Sequence, residues 1–337
     1  MTSTDEQPAP AVASPVEPRP AQVTYQDDPL RHLGHSHRRG DLRIYLGAAP
    51  GVGKTCAMLG EAHRRLERGT DVVAAVVETH GRKKVGELIH GIEVIPPHYI
   101  SYRGGTFPEL DVEAVLRRRP EGVILTGGVH TPQTRRMLSS AGIPVIETWD
   151  LPPEPIDQVV GFSNEEAMRM LITTLAAKGY RRFGYVGGRT TRDSRGEQRR
   201  KGFMRALDEL GFVPGRIVSW GVPPISIEHG GPAIMTLLER WPDTEVVAFV
   251  SDLPAFGALM ECKRRNIQVP ERVAIAGFGD YEVGGFSHPR MTTVNVDCYG
   301  IGKLAARRVI ELLQAGSRNR HDEIILTSFR VVEREST

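Results

Sequence analysis

The chain has 337 residues, 40% of them hydrophobic and 25% charged, and its 43 basic and 41 acidic residues give a formal net charge of +2. This length suits two α/β lobes, and the even charge balance does not favour nucleic acid, which usually meets a concentrated basic face. The cysteines are isolated, no apolar run approaches the ~18–20 residues of a membrane span, and no secretory signal pattern is present. We therefore expect a cytoplasmic protein without membrane contact.

Residues 1–40 are predicted to form a disordered tail. They are rich in Pro, Ala, Ser and Glu and carry few large apolar groups, so they bury too little surface to offset the entropy of ordering. His32, His35 and His37 lie close together near the end of this segment. We interpret them as part of a solvated linker, with metal binding as the alternative, because no Cys or carboxylate lies at ligand spacing.

From Asp41 onward, short apolar runs alternate with helical patterns, as in parallel sheets covered by helices. No Pro/Gly/Ser-rich linker interrupts the alternation, so we predict an α/β fold of two parallel-sheet lobes with several crossings around a cleft. The predicted strands are 42–46, 71–77, 91–102, 123–125, 144–146, 183–187, 217–220, 246–250, 273–277, 292–296 and 324–332. The predicted helices are 56–68, 112–118, 132–141, 164–179, 198–211, 233–240, 255–265 and 301–315.

A glycine-rich segment, AAPGVGKT at 48–55, connects the first predicted strand to the first predicted helix. In this pattern glycines let backbone N–H groups surround a phosphate at a helix N-terminus. Lys54 would reach the β- and γ-phosphates of a nucleotide, and the Thr55 hydroxyl would bind Mg²⁺. We predict a phosphate-binding loop, with a plain strand–turn–helix as the alternative. The residues assigned to this loop are Ala48, Gly51, Gly53, Lys54 and Thr55.

Residues 42–119 resemble the N-terminal cytoplasmic domain of the KdpD family, which comprises potassium-responsive sensor histidine kinases. The resemblance lies in three motifs in the same order: RIYLGAAPGVGKT at 43–55, VETHGR at 77–82 and YRGG at 102–105. It implies that the loop binds ATP with Mg²⁺. Histidine-kinase activity is not expected, because no catalytic ATP-binding domain, phospho-acceptor helix or membrane span follows.

A nucleotide-hydrolysing site of this kind normally needs a second strand that ends in an acid to hold Mg²⁺. In KdpD proteins the strand before a His-Thr pair typically ends in Asp-Glu, whereas Thr126 and Gly127 stand there in this chain. Glu78, after the predicted strand 71–77, is the candidate substitute, with a helix-capping or solvated acid as the alternative. We therefore expect nucleotide binding with weak or absent hydrolysis.

Residues 122–335 resemble the effector-binding part of LacI/GalR-family transcriptional regulators, nearest to the gluconate-repressor type. This second resemblance implies two α/β lobes with three crossover strands, a sugar or sugar-acid effector between them, and a homodimer. The main motifs are GVILT at 122–126, AGIPVIE at 141–147, VGFSN at 160–164, KGF at 201–203, AFGA at 255–258 and AIAGF at 274–278.

The LacI/GalR resemblance also implies an effector contact at Arg199. The family places an arginine shortly before a Gly-Phe or Gly-Tyr pair, where its planar fork fixes ligand hydroxyls or a carboxylate. Arg199 stands three residues before Gly202 and fits that place, with a solvated helix arginine as the alternative. The family often has Asp directly after a second Gly-Phe pair; here Asp280 comes one residue later and is the candidate.

Further candidate ligand residues follow predicted strands. Ser251 and Asp252 come directly after an apolar strand, at the strand end where α/β proteins bind ligands. For Asp252, capping of the following helix is the alternative. Ser163 and Asn164 lie at a predicted lobe crossover, and we expect them to line the cleft.

The chain therefore resembles a chimera in which the phosphate-loop half of KdpD, 41–120, replaces the opening of a LacI-type lobe. We place the first lobe at 41–161 plus about 293–318, and the second at 162–292 plus about 319–337. Direct DNA binding is not expected, because no helix-turn-helix pattern precedes the lobes. Our leading hypothesis is a non-enzymatic sugar or sugar-acid sensing module that carries a nucleotide loop. The alternatives are a KdpD-type ATP-binding signalling domain with weak or no ATPase activity, and an unproductive fusion.

Overall fold

The computed structural model of the protein describes residues 59, 62–64, 66–69, 72–74, 83–102, 105–109, 111–118, 120–188, 193–213, 215–222, 225–315 and 323–337. The predicted tail, 1–40, lies outside these residues. The predicted nucleotide site also lies outside them, so the roles of its residues stay predictions; they are Ala48, Gly51, Gly53, Lys54, Thr55 and Glu78. No helix of the described part is both long and apolar enough to cross a bilayer.

The described part alternates strands and helices throughout. The strands are β1 Val73–Ala74, β2 Glu93–Val94, β3 His98–Tyr102, β4 Gly105–Glu109, β5 Val123–Thr126, β6 Val145–Thr148, β7 Gln158–Gly161, β8 Phe183–Gly187, β9 Arg216–Ser219, β10 Val246–Phe249, β11 Ala274–Ala276, β12 Thr293–Asn295, β13 Glu323–Leu326 and β14 Arg330–Val332. The helices are α1 Lys83–Ile89, α2 Val112–Arg117, α3 Pro132–Ser140, α4 Asn164–Ala177, α5 Ser194–Glu209, α6 Ile227–Arg240, α7 Asp252–Arg264, α8 Glu282–Phe286 and α9 Cys298–Ala315.

Two four-stranded parallel sheets dominate the described part, which confirms the predicted α/β class. The first has the strand order β13–β7–β6–β5 and the second β11–β10–β8–β9. The central strands β6, β7, β8 and β10 are buried at every residue, as expected of parallel strands covered on both faces. The carboxyl ends of these strands are the usual place for a ligand in such sheets.

The second sheet separates two apolar clusters because side chains alternate between its faces. Val246 and Ala248 of β10 belong to a cluster with helices α4 and α5, which contribute large side chains such as Leu171 and Phe203. Val247 and Phe249, the alternate residues of the same strand, belong to a second cluster with α6 and α7. All four β10 side chains have no exposed surface. The second sheet therefore has a full core on each face.

The chain passes between the two sheets at three places in the described part. After β7 in the first sheet, α4 packs in the core of the second. After β12, which adjoins the second sheet through a bridge between Ala276 and Thr292, α9 packs on β6 and β7. After β13 in the first sheet, β14 pairs antiparallel with β12. The three crossovers implied by the LacI/GalR resemblance are therefore present.

The C-terminal region corrects two predictions. The predicted single strand 324–332 is two strands, β13 and β14, which pair with different partners. β13 lies parallel to β7, with Ile324 opposite Val159, and thus forms one edge of the first sheet. Assignment of 319–337 to the second lobe is therefore wrong for β13. The strand β7 was not predicted as a strand, since its apolar part is only Val159–Val160.

Two helices begin several residues earlier than predicted. The helix predicted at 233–240 begins at Ile227, where the backbone N–H of Ser226 donates to His229 Nδ1 (3.1 Å) in a capping box. Pro232, which precedes the predicted helix and suits a first turn, therefore lies inside α6 instead. Likewise α5 begins at Ser194 and not at 198, because Asp193 Oδ1 accepts from the backbone N–H three residues later (3.0 Å).

The region between the KdpD-like and LacI-like parts, near 120–131, has a small core of its own. Val112 on α2 packs with Leu138 on α3, Val145 on β6 and Ile156, and all four side chains are buried. Since α2 belongs to the KdpD-like part and β6 to the LacI-like part, this cluster joins the two. We call it the seam cluster and define it by these four residues.

Candidate functional site

Strand ends from both sheets meet around Arg199, which lies on α5 and is half-buried. Its Nε donates to Asn164 Oδ1 (2.9 Å), and its Nη1 donates to the carbonyl oxygen of Val250 (2.8 Å). Its Cζ lies 3.9 Å from the centroid of the Phe278 ring, in cation–π contact. Asn164, Val250 and Phe278 follow β7, β10 and β11, so this guanidinium lies at the carboxyl ends of the strands.

Asn164 connects Arg199 to the first sheet. Its side chain is fully buried, and its Nδ2 donates to the carbonyl oxygen of Trp149 (3.1 Å) and to Asp150 Oδ1 (3.2 Å). Asp150 Oδ2 accepts from the backbone N–H of Gly128 (3.2 Å). A continuous path of hydrogen bonds thus leads from the loop after β5, through Asp150 and Asn164, to Arg199 and the end of β10.

The electrostatic environment of Arg199 contains one buried acid and a second arginine. Burial raises the pKa of Asp150, while the Gly128 N–H and the charges of Arg195 and Arg199 act in the opposite direction. Removal from water lowers the pKa of Arg199. Among the described residues, no carboxylate forms an ion pair with Arg199, and no group accepts a hydrogen bond from its Nη2. One edge of this guanidinium is therefore available to an anionic or hydroxylated ligand.

Asp252 has a structural role in this arrangement. It is the first residue of α7 and is fully buried. Its Oδ1 accepts from the Thr293 hydroxyl (2.6 Å), and its Oδ2 accepts from the backbone N–H of Tyr281 (2.6 Å). Burial raises its pKa to about 6, against the effect of these hydrogen bonds. Because both oxygens are used inside the protein, Asp252 holds the loop after β11 to β12 and does not present a carboxylate to a ligand.

Asp280 is likewise engaged by protein groups. Its Oδ1 accepts from Arg334 Nη2 (2.6 Å) in an ion pair, and its Oδ2 accepts from Asn295 Nδ2 (2.7 Å). Its backbone φ of +51° is in the left-handed region, where Asp is tolerated better than most residues. The structure places this half-buried side chain against β12 and the C-terminal segment, and both of its oxygens have protein partners.

The two predicted serines occupy helix N-cap positions. Ser163 Oγ accepts from the backbone N–H of Glu166 (3.1 Å), which caps α4. Ser251 precedes α7, and its side chain makes no capping hydrogen bond. Both residues are half-buried at strand ends. Ser251 therefore keeps a hydroxyl for a ligand, whereas the Ser163 oxygen is used by the helix.

Three contributors to the site were not predicted as ligand residues: Asp150, Arg195 and Tyr281. Asp150 follows β6 by two residues, so the rule that functional groups follow strand ends would have found it. Arg195 lies on α5 four residues before Arg199, on the same side of the helix. Partial burial raises the pKa of the half-buried Tyr281 side chain, and the charges of Arg199 and Arg195 act on it in the opposite direction.

The chemistry of this arrangement is that of a binding site. Aromatic rings, a half-buried guanidinium and hydroxyl or amide groups suit a small polar ligand that is held by hydrogen bonds and stacking. No group of three or more His, Cys, Asp or Glu side chains in the described part is placed to hold a metal ion.

The comparisons with known proteins divide the chain in two. Residues 38–138 match the family model described as the osmosensitive K+ channel His kinase sensor domain. The sensor protein KdpD of Mycobacterium tuberculosis is 56% identical over 144 residues, which cover 38% of this chain and 17% of that protein. The chain thus spans about a sixth of the KdpD protein that it matches.

Residues 172–337 match the periplasmic binding protein-like domain model. The HTH-type transcriptional regulator GntR of Escherichia coli is 32% identical over 231 residues, which cover 68% of this chain and 67% of the regulator. A crystal structure of a LacI family transcriptional regulator from Silicibacter pomeroyi superposes with a TM-score of 0.65 and 33% identity, and the match covers 86% of this chain and 97% of that one. The chain therefore belongs to the LacI family of transcriptional regulators, with a first part that is similar to the KdpD sensor domain.

Proposed function

We propose that the chain is an effector-binding module that senses a sugar acid at Arg199. The observation that carries this proposal is the guanidinium that strand ends of both sheets hold in place while one edge keeps no protein partner among the described residues. Such a planar fork matches a carboxylate or two vicinal hydroxyls. The similarity to regulators named GntR and to LacI-family structures supports a sensing role.

The proposed site would couple the ligand to both lobes. Arg199 contacts Asn164, whose amide bonds to Asp150 in the first sheet, and it contacts Val250 and Phe278 in the second. A ligand that tightens the guanidinium position would therefore favour one relative arrangement of the lobes over others. Differential affinity of this kind is what a ligand needs to shift a conformational equilibrium.

Titration calorimetry with D-gluconate, and with D-glucose as the neutral analogue, tests the proposal. Arg199→Met should weaken gluconate binding by about ten- to hundredfold, because a hydrogen bond to a charged group contributes roughly 1.5–3 kcal/mol and 1.4 kcal/mol is tenfold. Arg200→Met is the matched control, since Arg200 lies on the same helix, is exposed and pairs with Glu197 (3.4 Å). It should leave the affinity unchanged.

Equal affinity of wild type and Arg199→Met for gluconate would contradict the proposal. An unchanged far-ultraviolet circular dichroism spectrum and unfolding midpoint of the ligand-free variant are required, because Arg199 also joins protein groups. If no polyhydroxy acid binds the wild-type chain at millimolar concentration, the sugar-acid assignment is wrong.

We also propose that the loop at 48–55 binds ATP with Mg²⁺, as the alternative or additional activity. Support comes from the 56% identity to the M. tuberculosis KdpD protein and from the family match that covers this segment. Mg·ATP should raise the unfolding midpoint of the wild type, since a ligand that binds only the folded state stabilises it. Lys54→Ala should lose this shift, whereas Lys303→Ala, an exposed lysine on α9, should keep it. No shift in the wild type would count against the loop.

We also propose that the chain forms a homodimer and does not bind operator DNA directly. Relatives of the chain carry names that include an HTH element, whereas residues 38–138 here match a sensor domain. Light scattering should give twice the mass of one chain. A gel-shift assay with DNA that carries the operator of a gluconate-responsive regulator should show no retardation at micromolar protein. A monomer, or sequence-specific retardation, would contradict the respective part.

A further inference from the structure

Arg195 is the feature of the site that the proposed function leaves unused. It lies in the first turn of α5, four residues before Arg199, so the two Cβ atoms are about 5–6 Å apart on the same side of the helix. The side chain is half-buried. Within the described part of the chain it forms no ion pair or hydrogen bond. Two like charges at this spacing destabilise a helix when no anion offsets them.

The surroundings of Arg195 place it at the same site as Arg199. Its charge acts on Asp150, on Arg199 and on Tyr281, which come from three different elements. Two acids lie near this pair, and both have other protein donors. Asp150 accepts from the Asn164 side chain and from the backbone N–H of Gly128, and Asp193 Oδ1 accepts from the backbone N–H of Gly196 at the start of α5.

Resting on the proposed sugar-acid function, we propose that the effector carries two anionic groups, one bound by Arg199 and the second by Arg195. The geometry that supports this is a pair of half-buried arginines four residues apart on one side of α5, neither in an ion pair with a described carboxylate, near converging strand ends. Neither arginine forms an ion pair with a described carboxylate, so an effector with a single carboxylate would pair with only one of them. The ligand class is a polyhydroxy acid with a second acidic group, which is either a carboxylate, as in an aldaric acid, or a phosphate ester.

Titration calorimetry with three probes tests this inference: D-gluconate with one charge, D-glucarate with two carboxylates, and 6-phospho-D-gluconate with a carboxylate and a phosphate. The wild type should bind at least one of the two dianions about tenfold or more tightly than gluconate. The dianion that binds more tightly identifies the second group. Arg195→Gln should lower affinity for that dianion about tenfold and leave affinity for gluconate within about threefold.

Arg200→Gln is the matched control, because Arg200 lies on the same helix with an exposed side chain, and it should change none of the three affinities. The inference is overturned if the wild type binds gluconate as tightly as both dianions, or if Arg195→Gln weakens all three probes equally. In those cases Arg199→Met still tests the sugar-acid function on its own. If none of the three acids binds the folded chain, both proposals fail together.

Discussion

The LacI-like and KdpD-like parts of the described chain differ in how much core each contains. The second sheet has an apolar cluster on each face, with fully buried large side chains such as Phe203, Tyr185 and Phe249. In the KdpD-like part, the described buried residues centre on Leu59 and Ile92, beside the two-residue strands β1 and β2. Among the described residues, most of the core therefore lies in the LacI-like part, and the seam cluster joins that part to α2 of the KdpD-like part.

The largest effect that would test this comparison is expected in the core of the second sheet. Phe203 on α5 has no exposed surface, and its ring lies 5.2 Å from that of Tyr185. Phe203→Ala should lower the free energy of unfolding by about 3–5 kcal/mol through lost burial and a cavity. Urea unfolding followed by circular dichroism measures this loss. The size-matched pair is Leu171→Ala in the same core and Leu59→Ala in the KdpD-like core; the second should cost less if the KdpD-like core is the weaker one, and an equal or larger cost would remove the distinction.

Buried acids provide the second test. Burial raises the pKa of Asp150 and of Asp252, and both lie in the LacI-like part of the described chain. Burial raises the pKa of Asp252 to about 6 from an ordinary 3.8. A folded-state pKa above the unfolded one means that protonation favours the fold. The contribution of Asp252 to stability is therefore fully present below about pH 4 and is lost as pH rises through about 6, by at most about 3 kcal/mol.

Asp252→Asn should remove this dependence, which unfolding midpoints measured from pH 4 to 8 would show as a flatter profile. The control is Asp208→Asn, an exposed acid on α5 that does not act on Asp252, and it should leave the pH 4–6 slope in place. A wild-type unfolding midpoint that changes between pH 4 and 6 no more than that of Asp252→Asn would mean that Asp252 does not titrate as described.

The smallest effects are expected from two helical glycines, one in each part. A Cβ at Gly202 on α5 would meet the carbonyl oxygen of Glu165 at 2.1 Å, whereas a Cβ at Gly86 on α1 would meet nothing within 4 Å. Gly202→Ala should therefore destabilise by about 1–3 kcal/mol, because the packed helices α4 and α5 must separate. Gly86→Ala should stabilise by up to about 1 kcal/mol through helix propensity. Thermal unfolding distinguishes the two signs, and the same sign for both would contradict tight packing at Gly202.

Sequence reasoning predicted much of the LacI-like part because its strands are apolar and bounded by turns. Phe183–Gly187 has the predicted limits, and the α/β class, the central strands and the three crossovers agree with the structure. The strand Gln158–Gly161 was missed because Val159 and Val160 are its only apolar side chains. The split of 324–332 into β13 and β14 depends on which distant strands they pair with, and the local sequence pattern does not reveal those partners.

The site was predictable only in part for a similar reason. Arg199 and Asn164 were named and are in direct contact. Asp252 and Asp280 were named for their place after strands, but the structure directs both carboxylates to protein donors. Which donors a carboxylate meets depends on residues far away in the sequence, such as Thr293 for Asp252. The second arginine, Arg195, has a helical spacing from Arg199 that sequence alone could have shown.

The pairing of the last fifteen residues bears on how the protein is synthesised. β13 completes the edge of the first sheet, and Ser336, fully buried, bonds through its carbonyl and hydroxyl oxygens to the backbone of Ile275 at the edge of the second (3.0 and 2.6 Å). The edge strand of the first sheet can therefore pair only once residues 323–326 have been synthesised, long after β5, β6 and β7. Loss of the segment 323–337 would remove contacts from both lobes at once.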